Sequence, residues 1–301
     1  MSSQFQMKWV VDSRGNEKLI REFLKDHEIS RTALTDIKFQ GGFIFVNNEE
    51  VNVRYKLNEG DQLTVIFPPE NPSIGMRGED IPLDILYEDD YLLVINKPAR
   101  MNTIPSREHP NGSIANALVG YYERIGHKAT SHIVTRLDRD TSGLVLIAKH
   151  RHVHHLFSMQ QQSGKVKRTY EAIASGCISV NHGTIEQPIG RKDDSIIERE
   201  VRADGQYACT QFSVIERNQV FTRIELQLET GRTHQIRVHM SYLGHPLLGD
   251  DLYGGERTKI DRQALHCKRI KFIHPFTKDE MTFSSPLPDD MCEILEADPG
   301  K

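Results

Sequence analysis

"FSVIERNQVFTRIELQLETG", Phe212 to Gly231, decides the fold class. On its second half Ile224, Leu226 and Leu228 alternate with Glu225 and Gln227, the period of a half-buried strand. Asn218-Gln219 separates that run from "FSVIER", so the stretch reads as two strands of one antiparallel hairpin. The pattern repeats on either side. "DILYEDDYLLVINKP" (84–98) is a hairpin with its turn at Glu88-Asp89-Asp90, and "LVLIAKH" (144–150) is a buried strand. "KRTYEAIASG" (167–176) and "RIKFIHPFTKDEMTFSSPLP" (269–288) read as strands, the latter with a hairpin. Two segments have helical spacing instead, "HVHHLFSMQQQSG" (152–164) and "THQIRVHMSYLG" (233–244). Antiparallel hairpins with helices inserted between them predict an α+β class, a mixed and mainly antiparallel sheet with flanking helices. No strand leads into a glycine-rich phosphate loop, so a nucleotide cofactor is not indicated.

The chain of 301 residues is long enough for two domains. The break is "PPENPSIGMRGEDIP" (68–82), rich in Pro and Gly and without periodicity. Before it, "NEKLIREFLKDHE" (16–28) has helical spacing, and "SRTALTDIKFQGG" (30–42) begins at a capping Ser30 and stops at Gly41-Gly42. "FIFVNNEEVNVRY" (43–55) reads as a hairpin turning near Asn47-Asn48, and "GDQLTVIFP" (60–68) as a further strand. The expected organisation is a small module over 13–67, a linker over 68–80, a large domain over 81–290 and a solvated acidic tail over 291–301.

Charge is distributed unevenly. The net formal charge is −4, too little to grip a polyanion by bulk attraction. Residues 131–180, however, hold seven Lys/Arg against three Asp/Glu, with five His, as a local polyanion site requires. The four Cys are scattered without metal spacing, and no apolar run approaches a membrane span, so the expectation is a cytoplasmic protein without disulfides, metal or membrane. His150, His152, His154 and His155 are read as an exposed, weakly basic helix face, since no carboxylate or Cys ligand stands near them. His234 and His239 are read as packing or hydrogen-bonding residues.

The chemistry is sought in "TRLDRDTSGLVLIA", Thr135 to Ala148. A carboxylate on a loop entering a strand is well placed for a substrate. The charges could equally pair among themselves on the surface, which is worth little. Asp138 and Asp140 are two residues apart, so in an extended loop both would point the same way as Arg136. Asp140 precedes Thr141-Ser142-Gly143, where an Asp side chain commonly accepts hydrogen bonds from the turn's own N–H groups.

"NKPARM" (96–101), "RLDRDTSGL" (136–144), "KRTYEA" (167–172), "GRTHQIRVHM" (231–240) and "HPLLGDDLYG" (245–254) occur in this order, followed by "ALHCKRIKFIHP". This series resembles the RluA-type, large-subunit family of RNA pseudouridine synthases over residues 81–290. The leading module resembles the S4 type of RNA-binding domain, with Asn48 where that type usually has Gly and with few basic residues on its helix. The resemblance implies the pseudouridine synthase fold and isomerisation of uridine in structured RNA, ribosomal RNA before transfer RNA. No cofactor or metal is implied. It makes Asp138 the attacking carboxylate, Arg237 its charge-assisted partner, and Tyr170 the residue that stacks on uracil and helps remove the C5 proton. Arg136 would fill the place of the flipped-out uridine, and Lys165, Lys167 and Arg168 would track the RNA backbone. Two positions depart from the family pattern: Thr135 stands where His is usual, and Arg100 where Gly is usual. The protein is expected to be monomeric.

Two other functions compete. A non-catalytic RNA-binding or ribosome-assembly factor on the same fold has no reason to keep Asp138, Tyr170 and Arg237 together. A glycosidase using Asp138 and Asp140 would need carboxyls roughly 5–10 Å apart across a sugar, and the segment has few aromatics to hold one.

Overall fold

The computed structural model describes residues 4–72, 75–127 and 129–297. The small N-terminal unit contains β1 (Gln6–Val10), α1 (Ile20–Asp26), α2 (Arg31–Phe39), β2 (Phe43–Val46), β3 (Glu49–Glu50) and β4 (Gln62–Ile66), with sheet order β1-β4-β2-β3. Ser30 caps α2 by accepting a hydrogen bond from the Ala33 N–H at 3.1 Å. Asn47 and Asn48 both take positive φ, 52° and 70°, as a two-residue hairpin turn demands. Asn tolerates that region better than most residues, which is why the turn forms without glycine. Apolar faces of both helices and of β2 and β4 close one core around Ile20, Leu24, Ile37, Leu63 and Val65. β1 was not among the expected elements. It pairs with β4 from Gln6↔Ile66 to Val10↔Gln62, so the unit begins before residue 13.

The large domain runs β5 (Ile85–Glu88), β6 (Leu92–Lys97), α3 (Ile114–Arg124), β7 (His132–Ile133), β8 (Ser142–Ala148), α4 (Arg151–Gln162), β9 (Lys167–Ser175) and β10 (His182–Glu186). It continues with β11 (Ile189–Arg191), β12 (Arg199–Val201), β13 (Cys209–Arg217), β14 (Phe221–Leu228), α5 (Gln235–Tyr242), β15 (Leu265–Ile273), β16 (Glu280–Ser284) and α6 (Asp289–Ala297). A ten-stranded sheet has the order β10-β13-β14-β9-β15-β8-β6-β5, with β16 added on β15 and β7 on β8. Among the described residues only β8 and β15 pair in parallel; the other pairings are antiparallel, as the hairpin pattern predicts. Every residue of β8 is buried, and each such Leu, Ile or Val contributes about 1.5–3 kcal/mol. At Gly143 a Cβ would lie 2.3 Å from the Cys267 carbonyl oxygen, and φ is +111°. Only glycine lets β8 approach β15 this closely directly after the Asp138 loop. The helix α3, capped by Ser113, lies in a stretch where no helix was expected. Among the described residues no helix is long and apolar enough to cross a membrane.

Three expectations are corrected. The described residues of 68–80 (73 and 74 lie outside them) are not a loose linker. The Glu70 carboxylate accepts from the Arg151 N–H at 2.8 Å and pairs with His132, while Arg77 O accepts from Asn116 Nδ2 at 3.0 Å. Backbone polar groups in a proline-rich stretch still need partners, and the large domain supplies them. The acidic end, as far as the described residues reach (298–301 lie outside them), is not a solvated tail either. It forms α6, which buries Met291 and Ile294 against Ile173, Phe221 and Leu248. The histidine-rich helix face is not exposed: His150 is 8% and His152 2% accessible. His150 stacks on Phe5 and His152 on Phe67, so these rings form the seam between the two units. An Arg151–Asp36 ion pair of 2.7 Å closes the same seam.

Candidate active site

One large cavity of about 850 Å³ opens where the loop before β8, the start of β9, the end of β14 and the start of α5 converge. Its lining carries Arg136, Arg139, Lys167, Arg168, Arg232 and Arg237 against only Asp138 and Glu229. Such a cleft draws in a polyanion although the whole chain is slightly acidic.

Asp138 stands at the wall of this cavity with its side chain 29% exposed. Its Oδ2 accepts a hydrogen bond from Arg237 Nη1 at 3.2 Å. Arg237 is only 8% exposed, and its other two nitrogens, Nε and Nη2, are each 2.7 Å from the fully buried Asp250 carboxylate. Burial opposes the guanidinium charge, but the Asp250 pair outweighs it and holds the group above its ordinary range. The ring of Tyr253 lies 4.9 Å from the Arg237 guanidinium.

The backbone around Asp138 is tied down on both sides. Thr103 Oγ1 donates to Leu137 O at 2.7 Å and accepts from the Leu137 N–H at 3.1 Å. Lys97, fully buried, donates from Nζ to Pro98 O, Met101 O and, at 3.0 Å, Arg139 O. Burial pushes this ammonium down to about 7, against the attraction of Asp138 and Asp140. Arg262 donates to Asp140 O at 3.1 Å and is itself gripped by Asp290 of α6 at 2.6 and 2.7 Å. The C-terminal helix thus anchors the loop that carries the acid.

The two carboxylates of this loop part company. The chain turns at Asp138, where the Thr141 N–H donates to Asp138 O at 3.2 Å. The loop is therefore not extended through Asp140, which lies outside the cavity lining with its carboxylate 3.5 Å from Arg139. Among the described residues the turn's N–H groups do not bond the Asp140 side chain; the backbone closes the turn instead. Arg136 is exposed on the cavity wall and joins no ion pair among the described residues. Lys167 and Arg168 line the cavity, whereas Lys165 lies outside the lining. Tyr170, 4% accessible, forms part of the wall, and Arg168 Nη1 donates to its hydroxyl at 3.2 Å. Burial raises the Tyr170 pKa above its ordinary value, and the Arg168 charge opposes that rise.

Both departures from the family pattern have local accounts. Thr135 is buried, and its Oγ1 accepts from the Leu146 N–H at 2.9 Å, tying the loop to β8. Arg100 adopts φ +64°, the conformation for which glycine is favoured, and its guanidinium pairs with Asp261. Backbone strain there is of order 1–2 kcal/mol.

The sequence did not reveal four residues of this constellation: Lys97, Asp250, Tyr253 and His234. All four lie inside motifs quoted above, but nothing in the spacing shows that Lys97 is buried or that Asp250 faces Arg237. His234, expected to pack or to hydrogen-bond, does hydrogen-bond, and its place beside Asp138 is what spacing does not show. It occupies a left-handed conformation (φ 57°), with Nδ1 2.8 Å from Tyr253 Oη and Nε2 3.8 Å from Asp138 Oδ2. His239, by contrast, hydrogen-bonds Thr210 and Gln187 O.

Known proteins resemble this chain in sequence and in fold. A family model described as RNA pseudouridylate synthase matches residues 91–242. An uncharacterized RNA pseudouridine synthase, YjbO of Bacillus subtilis, is 54% identical over 93% of this chain and 99% of its own length. The ribosomal large subunit pseudouridine synthase D of Vibrio vulnificus is 40% identical over 95% of this chain and 92% of its own. In fold, human RNA pseudouridylate synthase domain containing 1 superposes with a TM-score of 0.59 at 22% identity, covering 73% of this chain and 96% of that one.

Proposed function

The chain belongs to the RNA pseudouridine synthase family, and from that premise we propose that it isomerises uridine in large-subunit ribosomal RNA with Asp138 as the attacking carboxylate. The observation that carries this reading is the Asp138–Arg237 pair on the wall of a basic cavity. An anionic carboxylate held in one orientation by a guanidinium is suited to covalent attack, and a binding protein has no use for it. The large-subunit name of the Vibrio relative favours ribosomal RNA.

The reaction breaks the bond between C1′ and N1 of uracil and forms one between C1′ and C5. C5 loses a proton and N1 gains one, so the sum is an isomerisation without oxidant, nucleotide or metal. Asp138 serves attack at either C6 or C1′. Tyr170 offers a ring face to the uracil, and Arg168 beside its hydroxyl stabilises negative charge there while the C5 proton leaves. Arg136 stacks into the gap left by the flipped-out base. Lys167 and Arg168 meet phosphates, with Lys165 farther along the strand. The small N-terminal unit serves as an S4-like RNA contact, fixed to the large domain by its aromatic and histidine seam.

Mapping pseudouridine in total RNA from cells with and without the gene tests the assignment. Loss of one or more sites in large-subunit ribosomal RNA supports it. Loss confined to transfer RNA would replace the substrate, and an unchanged map would remove the catalytic reading.

A further inference from the structure

We propose that His234 is a positioning residue that turns its Nε2–H towards Asp138 Oδ2 and, with Arg237, occupies that oxygen so that Oδ1 makes the attack. The inference rests on the assignment of Asp138 as the attacking group. It begins at Tyr253. The hydroxyl oxygen of Tyr253 accepts the backbone N–H of Arg199 in β12 at 3.0 Å. That oxygen is also 2.8 Å from His234 Nδ1. Burial pushes the Tyr253 phenol up to about 12, so it carries its proton at neutral pH. The Arg199 N–H can only donate, so among the described residues His234 Nδ1 is the acceptor in reach of the phenol proton. An Nδ1 that accepts leaves the ring proton on Nε2.

Nε2 is 3.8 Å from Asp138 Oδ2, the same oxygen that takes Arg237 Nη1 at 3.2 Å. The gap is longer than a hydrogen bond. Contacts of this kind commonly tighten when substrate fills the site. Burial lowers the His234 pKa against the pull of the Asp138 charge, which keeps the ring neutral and its single N–H fixed. The backbone gives an independent sign. His234 is held at φ 57° in the left-handed region, which costs a non-glycine residue energy and which tends to persist at functional sites. Arg199, Tyr253, His234 and Asp138 form one chain of contacts, so the position of the β11–β12 hairpin is transmitted to the acid.

Two substitutions separate this role from a structural one. The amide nitrogen of Gln falls near Nε2 of His, whereas that of Asn falls near Nδ1. Asn, on the other hand, tolerates the left-handed backbone better than Gln. If His234 supplies an N–H to Asp138, His234→Gln should keep kcat within about tenfold of the unaltered protein. His234→Asn should lose about 10–100-fold in kcat with KM little changed, although it unfolds at the same or a higher temperature. Tyr253→Phe keeps the ring against Arg237 but removes the proton that fixes the tautomer, and should lower kcat with KM unchanged. Asn equal to or better than Gln, or full turnover by Tyr253→Phe, overturns the inference. Asp138→Asn is assayed beside them. If it is active the underlying assignment fails, and if it is inactive the histidine result stands by itself.

Discussion

Arg237 meets Asp138 with one nitrogen and Asp250 with the other two, at 3.2 Å and at 2.7 Å twice. The guanidinium is thus fixed from behind before it touches the acid in the cavity. Asp250 is completely buried, so its carboxylate meets Arg237 in place of water. Asp250→Asn should destabilise the domain by about 3–5 kcal/mol, the usual result of breaking a buried pair from one side. It should also lower turnover, because Arg237 loses its fixed orientation. Urea unfolding with parallel kinetics checks this, and an unchanged midpoint would count against the pair as a structural anchor.

Asp138→Asn should abolish pseudouridine formation while leaving folding and RNA binding nearly intact, since Asn fills the same space without an anionic oxygen. Asp140→Asn should stay within about tenfold of the unaltered enzyme, because its backbone carbonyl, not its carboxylate, is the group held by Arg262. The assay is tritium release from RNA labelled at uridine C5. An inactive, folded Asp140→Asn beside an active Asp138→Asn would reverse the assignment.

Tyr170→Phe keeps a ring on the cavity wall and removes the hydroxyl that Arg168 contacts. RNA affinity should change little while turnover falls, on the scale of ~10²–10⁴-fold for a lost acid–base group. Equal losses in binding and turnover would show that the position of the ring matters and its hydroxyl does not.

Acid should weaken the fold before most carboxylates titrate. Burial pushes His150, His152 and His266 down to about 4 in the folded protein, against about 6.5 in an unfolded chain. Between those values the unfolded chain binds more protons, so stability is full above about pH 6.5 and falls towards pH 4. Each imidazole contributes up to about 3 kcal/mol to that fall. Among the described residues neither ring nitrogen of His152 has a hydrogen-bond partner. His152→Phe should therefore be neutral or stabilising by about 1 kcal/mol at pH 7 and should flatten the acid slope. The single tryptophan, Trp9, packs against His27 and Phe23 in the small unit and reports its unfolding by fluorescence. A slope identical in the variant would remove His152 from the account.

The sequence by itself determined what is local or periodic. Alternation in "FTRIELQL" made β14 and so an antiparallel α+β sheet, Ser30 set the start of α2, and Asn47-Asn48 set a hairpin turn. The ordered motifs placed Asp138, Tyr170 and Arg237 in one family, because residue type and order survive without coordinates. What only the tertiary structure decided depends on partners far away in the chain. Spacing puts Asp138 and Asp140 on one side; the turn closed by Thr141 separates them. Composition makes the C-terminal end look like a solvated acidic tail. Its Met291 and Ile294 nevertheless find a buried surface formed by β9 and β14, and its Asp290 finds Arg262. The histidines of α4 look like a basic surface until Phe5 and Phe67 cover them. His234 could be recognised only once Tyr253 and Asp138, neither adjacent in sequence, stood on either side of its ring. Local pattern records the conformation a segment prefers, whereas burial and pairing are properties of the surface that folds against it.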